Sequence, residues 1–146
     1  MRPSWDNYFL EIADVVSKRS TCARRSVGCV LVDNQHQIVA TGYNGTSRGT
    51  VNCIDQPCEA AKKAGSGSPD ADGCLAIHAE TNAFLQLAGK TFQGPLTLYT
   101  QVTPCFTCAK NICNSAVKRI VVKGWYNHRQ VLELFESAKI ELEIVP

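Results

Sequence analysis

Some segments of this chain repeat hydrophobic residues at the spacing of a helix, and others have the apolar, β-branched sequence of a strand. The two kinds of segment alternate along the chain. Apolar residues at helical spacing predict a first helix over Trp5–Lys18, which Ser4 can cap. Two β-branched runs follow, and Asn34 and Gln35 between them suit a hairpin turn. The pattern then predicts, in order, strands at Val27–Asp33 and Gln37–Thr41, a short helix near Glu59–Ala64, a helix at 78–89, a strand at Leu96–Gln101, a helix at Cys105–Ser115, a strand at Arg119–Gly124, a helix at Arg129–Ala138 and a strand at Glu141–Val145.

The order of these elements predicts the fold class. Helices and strands alternate after residue 78, behind an opening helix and a hairpin. This order is typical of an α/β protein, and we expect a three-layer α/β/α sandwich with a mixed five-stranded sheet and helices on both faces. We expect one domain over residues 1–146, in which residues 52–74 form an irregular insertion that the core alone does not explain.

Composition narrows the class of protein. Apolar residues make up 45% of the chain and charged residues 19%, which is ordinary for a soluble domain. No apolar run approaches the roughly 20 residues that cross a bilayer, and no signal peptide is evident, so we expect no membrane association and a cytoplasmic location. The formal net charge of +2 is too small to predict nucleic-acid binding. The 8 cysteines call for an explanation, because clustered cysteines in a reducing compartment bind metal more often than they form disulfides.

One cluster of residues predicts a catalytic zinc site. His78 and Glu80 begin one predicted helix, and Cys105 and Cys108 begin another, which Pro104 introduces. Three protein ligands, His78, Cys105 and Cys108, would leave the fourth position of a tetrahedral zinc for water, whose pKa falls to about 7. Glu80 is then free to take the water proton and deliver it to a substrate.

The whole pattern is more specific than either half. Cys105 and Cys108 alone could be a redox pair or two core thiols. His-x-Glu followed by Pro-Cys-x-x-Cys, however, is characteristic of zinc-dependent nucleobase deaminases.

Four further cysteines could form a second zinc site. Cys22, Cys53, Cys58 and Cys74 lie in or beside irregular segments, and a closed Cys₄ zinc would hold such a loop in place. The spacing of the four cysteines alone does not distinguish a structural zinc site from four buried free thiols.

Several segments together resemble the deoxycytidylate deaminase family, from Trp5 to about Val122. They are SWDNYFLEIADVVSKRSTCARRSVGCVLV, ATGYNGT, NC, IHAETNA and TPCFTCAKNI. The resemblance implies the cytidine deaminase-like fold and the hydrolysis of dCMP to dUMP and ammonia, in support of thymidine nucleotide synthesis. It also implies that Glu80 is the proton shuttle, that His78, Cys105 and Cys108 bind the catalytic zinc, and that Cys22, Cys53, Cys58 and Cys74 hold a structural zinc.

The same resemblance implies substrate contacts. Asn44 would contact the nucleotide sugar, Arg24 and Arg25 the 5′-phosphate, and Ala79 and Tyr126 the substrate. Each has a plainer interpretation: Asn44 as a turn residue before Gly45, the arginines as solvated charges, and Tyr126 as a core or surface aromatic.

The resemblance further implies a homo-oligomer, a hexamer in many relatives, with dCTP as activator and dTTP as inhibitor near Asn44 and Gly45. Mg²⁺ could accompany such a triphosphate. Two kinds of protein remain as alternatives. One is another zinc deaminase of this fold, acting on free cytidine, guanine or tRNA adenosine. The other is a non-catalytic zinc module of the DNA-uptake type.

Overall fold

A computed structural model describes residues 1–63, 73–124 and 128–146. These residues form five α-helices and seven β-strands. In chain order they are α1 (Trp5–Ser17), β1 (Gly28–Val32), β2 (Ile38–Tyr43), β3 (Gly45–Thr46), α2 (Glu59–Lys62), β4 (Ala76–Ile77), α3 (Ala79–Leu87), β5 (Leu96–Val102), α4 (Phe106–Cys113), β6 (Val117–Gly124), α5 (Arg129–Ser137) and β7 (Glu141–Ile144).

The main sheet has five strands in the order β2-β1-β5-β6-β7. β1 runs antiparallel to both β2 and β5, whereas β5, β6 and β7 are parallel. β1 is buried along its whole length, as expected for an uninterrupted apolar strand with both faces covered. The predicted mixed five-stranded sheet is therefore confirmed.

Helices cover both faces of this sheet. α1 packs on one face, where Phe9 and Leu10 meet Val30 and Tyr99. The other face carries α3, α4 and α5, whose buried residues join the alternate residues of the same strands, such as Leu31 and Leu98. The three-layer arrangement follows from the period-2 alternation of the strands.

Two glycines allow helices to approach the sheet closely. A Cβ atom on Gly42 in β2 would lie 2.3 Å from the carbonyl oxygen of Ala79 in α3. A Cβ atom on Gly28 in β1 would lie 2.3 Å from the carbonyl oxygen of Ala13 in α1. Both positions therefore need a residue without a side chain.

An ion-pair network ties α1 to the strands. Arg119 donates two hydrogen bonds to the Asp6 carboxylate, at 2.9 and 2.8 Å, and also pairs with Glu143. The hydroxyl of Tyr99 donates to Asp6 at 2.8 Å. The Arg119 guanidinium lowers the pKa of Asp6 below its ordinary value of 3.8, although partial burial opposes the shift.

The sheet topology determines where a site can form. Because β1 is antiparallel to β5, the start of β1 lies beside the end of β5, and the backbone N–H of Gly28 donates to Oε1 of Gln101 at 2.7 Å. The segment before β1 and the segment after β5 therefore meet at one edge of the sheet. None of the described helices is both long and apolar enough to traverse a bilayer.

Candidate active site

Two strand-to-helix junctions bring the first group of predicted residues together. β4 pairs with β3 and leads directly into His78, which lies in extended backbone as the N-cap of α3. β5 leads through Thr103 and Pro104 to Cys105, which is the extended N-cap of α4. Both helices therefore begin at this site, with the positive ends of their dipoles near it.

The geometry of the three predicted ligands fits zinc. Nδ1 of His78 lies 3.3 Å from Sγ of Cys105 and 3.3 Å from Sγ of Cys108. The three ligand atoms all lie within 4.8 Å of one another. Tetrahedral zinc with ordinary Zn–N and Zn–S bonds places its nitrogen and sulfur ligands about 3.5 Å apart. The set of one imidazole and two thiols also matches the three-ligand, catalytic type of zinc site.

The two thiols interact with each other. A hydrogen bond from Cys108 lowers the pKa of Cys105 to about 4, and the same contact raises the pKa of Cys108. A divalent cation bound at this point would favour the thiolate form of both cysteines.

Glu80 lies beside these ligands and is almost completely buried, with 6% of its surface exposed. Burial raises the pKa of its carboxyl above the ordinary 4.5, and the neighbouring Cys105 adds to this effect. A buried carboxyl with a raised pKa holds a proton more readily than an ordinary glutamate, which suits an acid–base group.

One pocket collects most of the predicted substrate residues. It includes two of the predicted ligands of the catalytic metal, His78 and Cys105, together with Glu80. Its other lining residues are Cys22, Arg24, Arg25, Val27, Asn44, Cys74, Ala76, Ala79, Val102 and Thr103. The structure therefore brings the predicted phosphate and sugar residues to the same cavity as two predicted ligands of the catalytic metal, His78 and Cys105. Tyr126 lies outside the described residues.

Asn44 connects the pocket to the chain before β1. Its Oδ1 accepts from the backbone N–H of Val27 at 2.9 Å, and its Nδ2 donates to the carbonyl oxygen of Arg25 at 3.0 Å. The amide retains one N–H and one lone pair beyond these bonds. Asn44 thus fixes the backbone that carries Arg25, and it can still offer a hydrogen bond to a ligand.

The four remaining predicted metal cysteines divide into two groups. Sγ of Cys53 and Sγ of Cys58 are 3.6 Å apart, and Cys74 packs against this pair. Burial alone would raise the pKa of Cys58, but hydrogen bonds from the backbone of Ala61 and from Cys53 lower it. Cys22 instead accepts from the backbone N–H of Arg24 at 3.4 Å. Among the described residues, the set of three ligands that could hold a metal is the one containing His78.

A separate groove lies beside Gly45. It runs along β2, β3 and α3 and contains two basic side chains, Arg48 and Lys90. Gly45 lines this groove, whereas Asn44 lines the pocket that contains Glu80. The two residues predicted for an effector site thus face different cavities.

Thr103 is a pocket residue that the sequence analysis missed. It is 2% exposed, and its hydroxyl has no hydrogen-bond partner within the described parts of the chain. Its position immediately before Pro104 and Cys105 is the signal that could have directed attention to it. Its burial beside a metal site could be learned only from the structure.

Comparisons with known proteins show the family to which the chain belongs. The sequence family described as "Cytidine and deoxycytidylate deaminase zinc-binding region" matches residues 3–123. A deoxycytidylate deaminase from Schizosaccharomyces pombe is 40% identical over 142 residues, which is 97% of this chain and 44% of that protein. The chain thus spans less than half the length of this yeast relative. A deoxycytidylate deaminase from Mycobacterium phage D29 is 38% identical over 123 residues, 82% of this chain and 94% of that protein.

A solved structure is similar over nearly the whole chain. The dCMP deaminase of cyanophage S-TIM5, in complex with dCMP and dUMP, superposes with a TM-score of 0.79 at 27% identity. The match covers 99% of each chain. The similarity therefore includes the complete sheet and the helices that carry His78 and Cys105.

Proposed function

Because this chain belongs to the cytidine and deoxycytidylate deaminase family, we propose that it is a zinc-dependent enzyme that converts dCMP and water to dUMP and ammonia. The observation that carries the proposal is one pocket that is lined by His78 and Cys105 of the His–Cys–Cys ligand set, by the buried Glu80 and by two arginines. This combination would offer metal ligands, an acid–base group and phosphate donors around one cavity. Two relatives named deoxycytidylate deaminase and a neighbour solved with dCMP and dUMP support the same substrate.

The metal ligands in this proposal are Nδ1 of His78 and the sulfurs of Cys105 and Cys108. Zinc bound there lowers the pKa of a coordinated water and supplies a nucleophile at neutral pH. The α4 N-terminus and the contact with Cys108 favour the thiolate form of Cys105. Thr81 lies 4.0 Å from Sγ of Cys108 and is a weak partner for that sulfur.

Glu80 moves the protons. Its carboxylate takes a proton from the attacking water and passes it to N3 of the cytosine ring as a bond forms at C4. It then takes the proton that remains on the new C4 hydroxyl and gives it to the 4-amino nitrogen, which leaves as ammonia when the C4–N bond breaks and the C4 carbonyl forms. Burial and the raised pKa suit a group that must hold a proton between these two transfers.

The rest of the pocket binds the nucleotide. Arg24 and Arg25 supply the donors for the 5′-phosphate, since guanidinium groups bind phosphate with paired, charge-assisted hydrogen bonds. Asn44 offers its remaining hydrogen-bonding capacity to the deoxyribose. Ala79, a small residue with 1% exposure, borders the space for the base, and Tyr126 is proposed as a further contact.

A structural zinc is a separate part of the proposal. The sulfurs of Cys53 and Cys58 are 3.6 Å apart. Two sulfur ligands of one tetrahedral zinc are expected to be about 3.8 Å apart, so the observed distance suits a shared metal. Backbone N–H groups stabilise the thiolate of Cys58. Cys74 packs against this pair, and Cys22 completes the proposed set of four. Zinc binding would require the sulfurs of Cys74 and Cys22 to turn toward the sulfurs of Cys53 and Cys58.

We also propose a cellular location, a metabolic role, an assembly state and a form of regulation, all of which follow from the resemblance to the family. The enzyme acts in the cytoplasm, or in the host cytoplasm if its source is viral, and it supplies thymidine nucleotide synthesis. It assembles as a homo-oligomer, a hexamer by resemblance, with dCTP and dTTP as opposing effectors. The basic groove beside Gly45 supports a triphosphate site, in which Mg²⁺ would accompany the phosphates.

The direct test is ammonia release by the zinc-loaded protein from dCMP and from deoxycytidine. We expect turnover of dCMP, with kcat/KM for deoxycytidine lower by about 100-fold because two charge-assisted contacts are lost. Arg24→Gln and Arg25→Gln, measured separately, should raise KM for dCMP and leave the value for deoxycytidine nearly unchanged. No ammonia from dCMP would overturn the proposed function. Equal rates on both substrates would instead remove only the phosphate site.

A further inference from the structure

Gly28 begins β1 at the edge of the sheet beside the pocket, and side chains of β5 bind both of its backbone polar groups. Its N–H donates to Oε1 of Gln101 at 2.7 Å, and its carbonyl oxygen accepts from the hydroxyl of Thr100 at 2.9 Å. The paired residues of β1 and β5 end one position further along β1, with Cys29 opposite Thr100. Side chains thus continue the connection between the two strands beyond the last backbone pair.

The side chain of Gln101 is itself held by α1. Its Nε2 donates to Oδ1 of Asp14 at 3.3 Å, and Asp14 also pairs with Lys123 of β6. The carbonyl end of the Gln101 amide is thus bound to the start of β1, while its amino end is bound to a helix. An amide that is bonded through both its donor and its acceptor is held in one orientation.

This connection lies between the two ends of the pocket. Val27 and Val102, which are neighbours of the two bonded residues, both line the cavity. The chain before Val27 carries Arg25, which is proposed to bind phosphate, and the chain after Val102 leads to the metal ligand Cys105. Gln101 therefore joins the segment with the phosphate donors to the segment with the metal ligands.

Asn44 does not supply the same connection. Its bonds to Val27 and Arg25 attach this segment to the residue that follows β2. In the sheet, β2 and β5 lie on opposite sides of β1. The bond to Gln101 instead attaches the segment to β5, the strand that leads to Cys105.

The proposed substrate needs a fixed distance between these two segments. The phosphate and the reacting carbon lie at opposite ends of dCMP, so both can be bound at once only if the arginines and the metal ligands are correctly separated. Deoxycytidine has no phosphate and uses the metal end of the pocket alone. A residue that fixes this separation should therefore affect the two substrates differently.

We propose that Gln101 is a positioning residue for recognition of the 5′-phosphate. By binding the N–H of Gly28, it fixes the segment that carries Arg24 and Arg25 relative to the start of α4. It acts through the backbone of this segment. The inference rests on the proposed function and assigns a residue that determines the preference for a nucleotide over a nucleoside.

The test compares Gln101→Met with the wild type at equal zinc content, measured first by metal analysis. Methionine has a similar length and leaves the Gly28 N–H without the amide acceptor. We expect KM for dCMP to rise about tenfold, because the phosphate donors are no longer held in place. Phosphate binding is equal in the ground state and the transition state, so kcat for dCMP should stay within about twofold of the wild type. Both constants for deoxycytidine should stay within about twofold as well.

Tyr99→Phe is the matched control for a loss of stability. It lies on the same strand and removes a hydroxyl that bonds Asp6 of α1 at 2.8 Å. Both variants should lower the Tm, because each removes a hydrogen bond between β5 and another element. Tyr99→Phe, however, should leave KM for dCMP unchanged, since its bond does not reach the segment before β1.

A double variant tests the hydrogen bond itself. Gln101→Glu combined with Asp14→Asn keeps the net charge, reverses donor and acceptor between the two side chains and retains an acceptor for the Gly28 N–H. It should return KM for dCMP to within about threefold of the wild-type value. A KM as high as that of Gln101→Met would overturn the inference.

The remaining outcomes separate this inference from the proposed function. Failure of the wild type to release ammonia from dCMP would overturn the function itself. Equal wild-type rates on dCMP and deoxycytidine would remove the phosphate site, and this inference with it. If the wild type prefers dCMP, an unchanged KM in Gln101→Met, or an equal loss on both substrates, would overturn only the role of Gln101. If Gln101→Met does not fold, Gln101→Ala provides the same comparison.

Discussion

Gly42 controls how closely α3 approaches the sheet, and α3 carries His78 at its cap and Glu80 in its first turn. In Gly42→Ala, the new Cβ would lie 2.3 Å from the Ala79 carbonyl oxygen and 2.4 Å from the Ala83 nitrogen. Contacts of a Cβ atom below 3.0 Å essentially do not occur, so the helix must move by at least about 0.7 Å. Overpacking of this kind costs about 1–3 kcal/mol of stability.

The displacement should affect activity as well as stability. The start of α3 holds Nδ1 of His78 against two sulfurs at 3.3 Å, and these ligands tolerate little movement. A misplacement of catalytic groups by about 1 Å can reduce turnover about 100-fold. We therefore expect Gly42→Ala to bind zinc more weakly and to lose about 100-fold in kcat/KM for dCMP, measured well below its Tm.

Gly28→Ala is the matched control. Its Cβ would meet the Ala13 carbonyl oxygen at the same distance of 2.3 Å, but the helix that must move is α1, on the opposite face of the sheet. Both variants should lower the free energy of unfolding by similar amounts in denaturant titrations. If Gly28→Ala loses as much activity and zinc as Gly42→Ala, the argument from helix position is wrong.

Three further outcomes are expected. Glu80→Gln should keep its zinc, measured by metal analysis, and lose nearly all ammonia release, since the amide cannot carry a proton; substantial turnover would refute the proton role. Cys58→Ser should lower zinc content by one equivalent per chain and lower the Tm, whereas unchanged zinc would remove the structural site. Asp6→Asn should lower the free energy of unfolding at pH 7 by about 1–2 kcal/mol. Because the pKa of Asp6 is lowered in the folded state, this difference should be present above pH 3.8 and disappear as the pH falls further. A difference independent of pH would show that the lost interaction is not ionic.

Much of the fold and of the metal site could be predicted from the sequence. The helix Trp5–Ser17 and the strand β1 have clear hydrophobic patterns, so the sequence predicted the correct type of element for each. The predicted ends differ from the observed ends by only one or two residues. His78, Cys105 and Cys108 lie in two short motifs at helix starts, and local spacing is enough to indicate that such residues can share a metal.

Other features depend on contacts that no local pattern encodes. The paired strands β3 and β4 have two residues each and thus no detectable period, although they position His78. The bonds of Asn44 to Val27 and Arg25 cross 17 and 19 residues, and they become visible only when β2 pairs with β1. The burial of Thr103 depends in the same way on the assembled pocket rather than on its neighbours in sequence.

The proposed metal ligands lie close to one another in sequence, whereas the arginines proposed to bind phosphate lie far from them. Cys105 and Cys108 follow His78 by 27 and 30 residues, so a short segment contains the complete ligand set. Closing a short loop costs little entropy, and cation binding can offset this cost before the rest of the polypeptide is ordered. Arg24 and Arg25 reach the same cavity only after β1 has joined β5. In a growing or partly denatured chain, we therefore expect ion capture and nucleotide recognition to arise as separate events, with the ion bound first and released last.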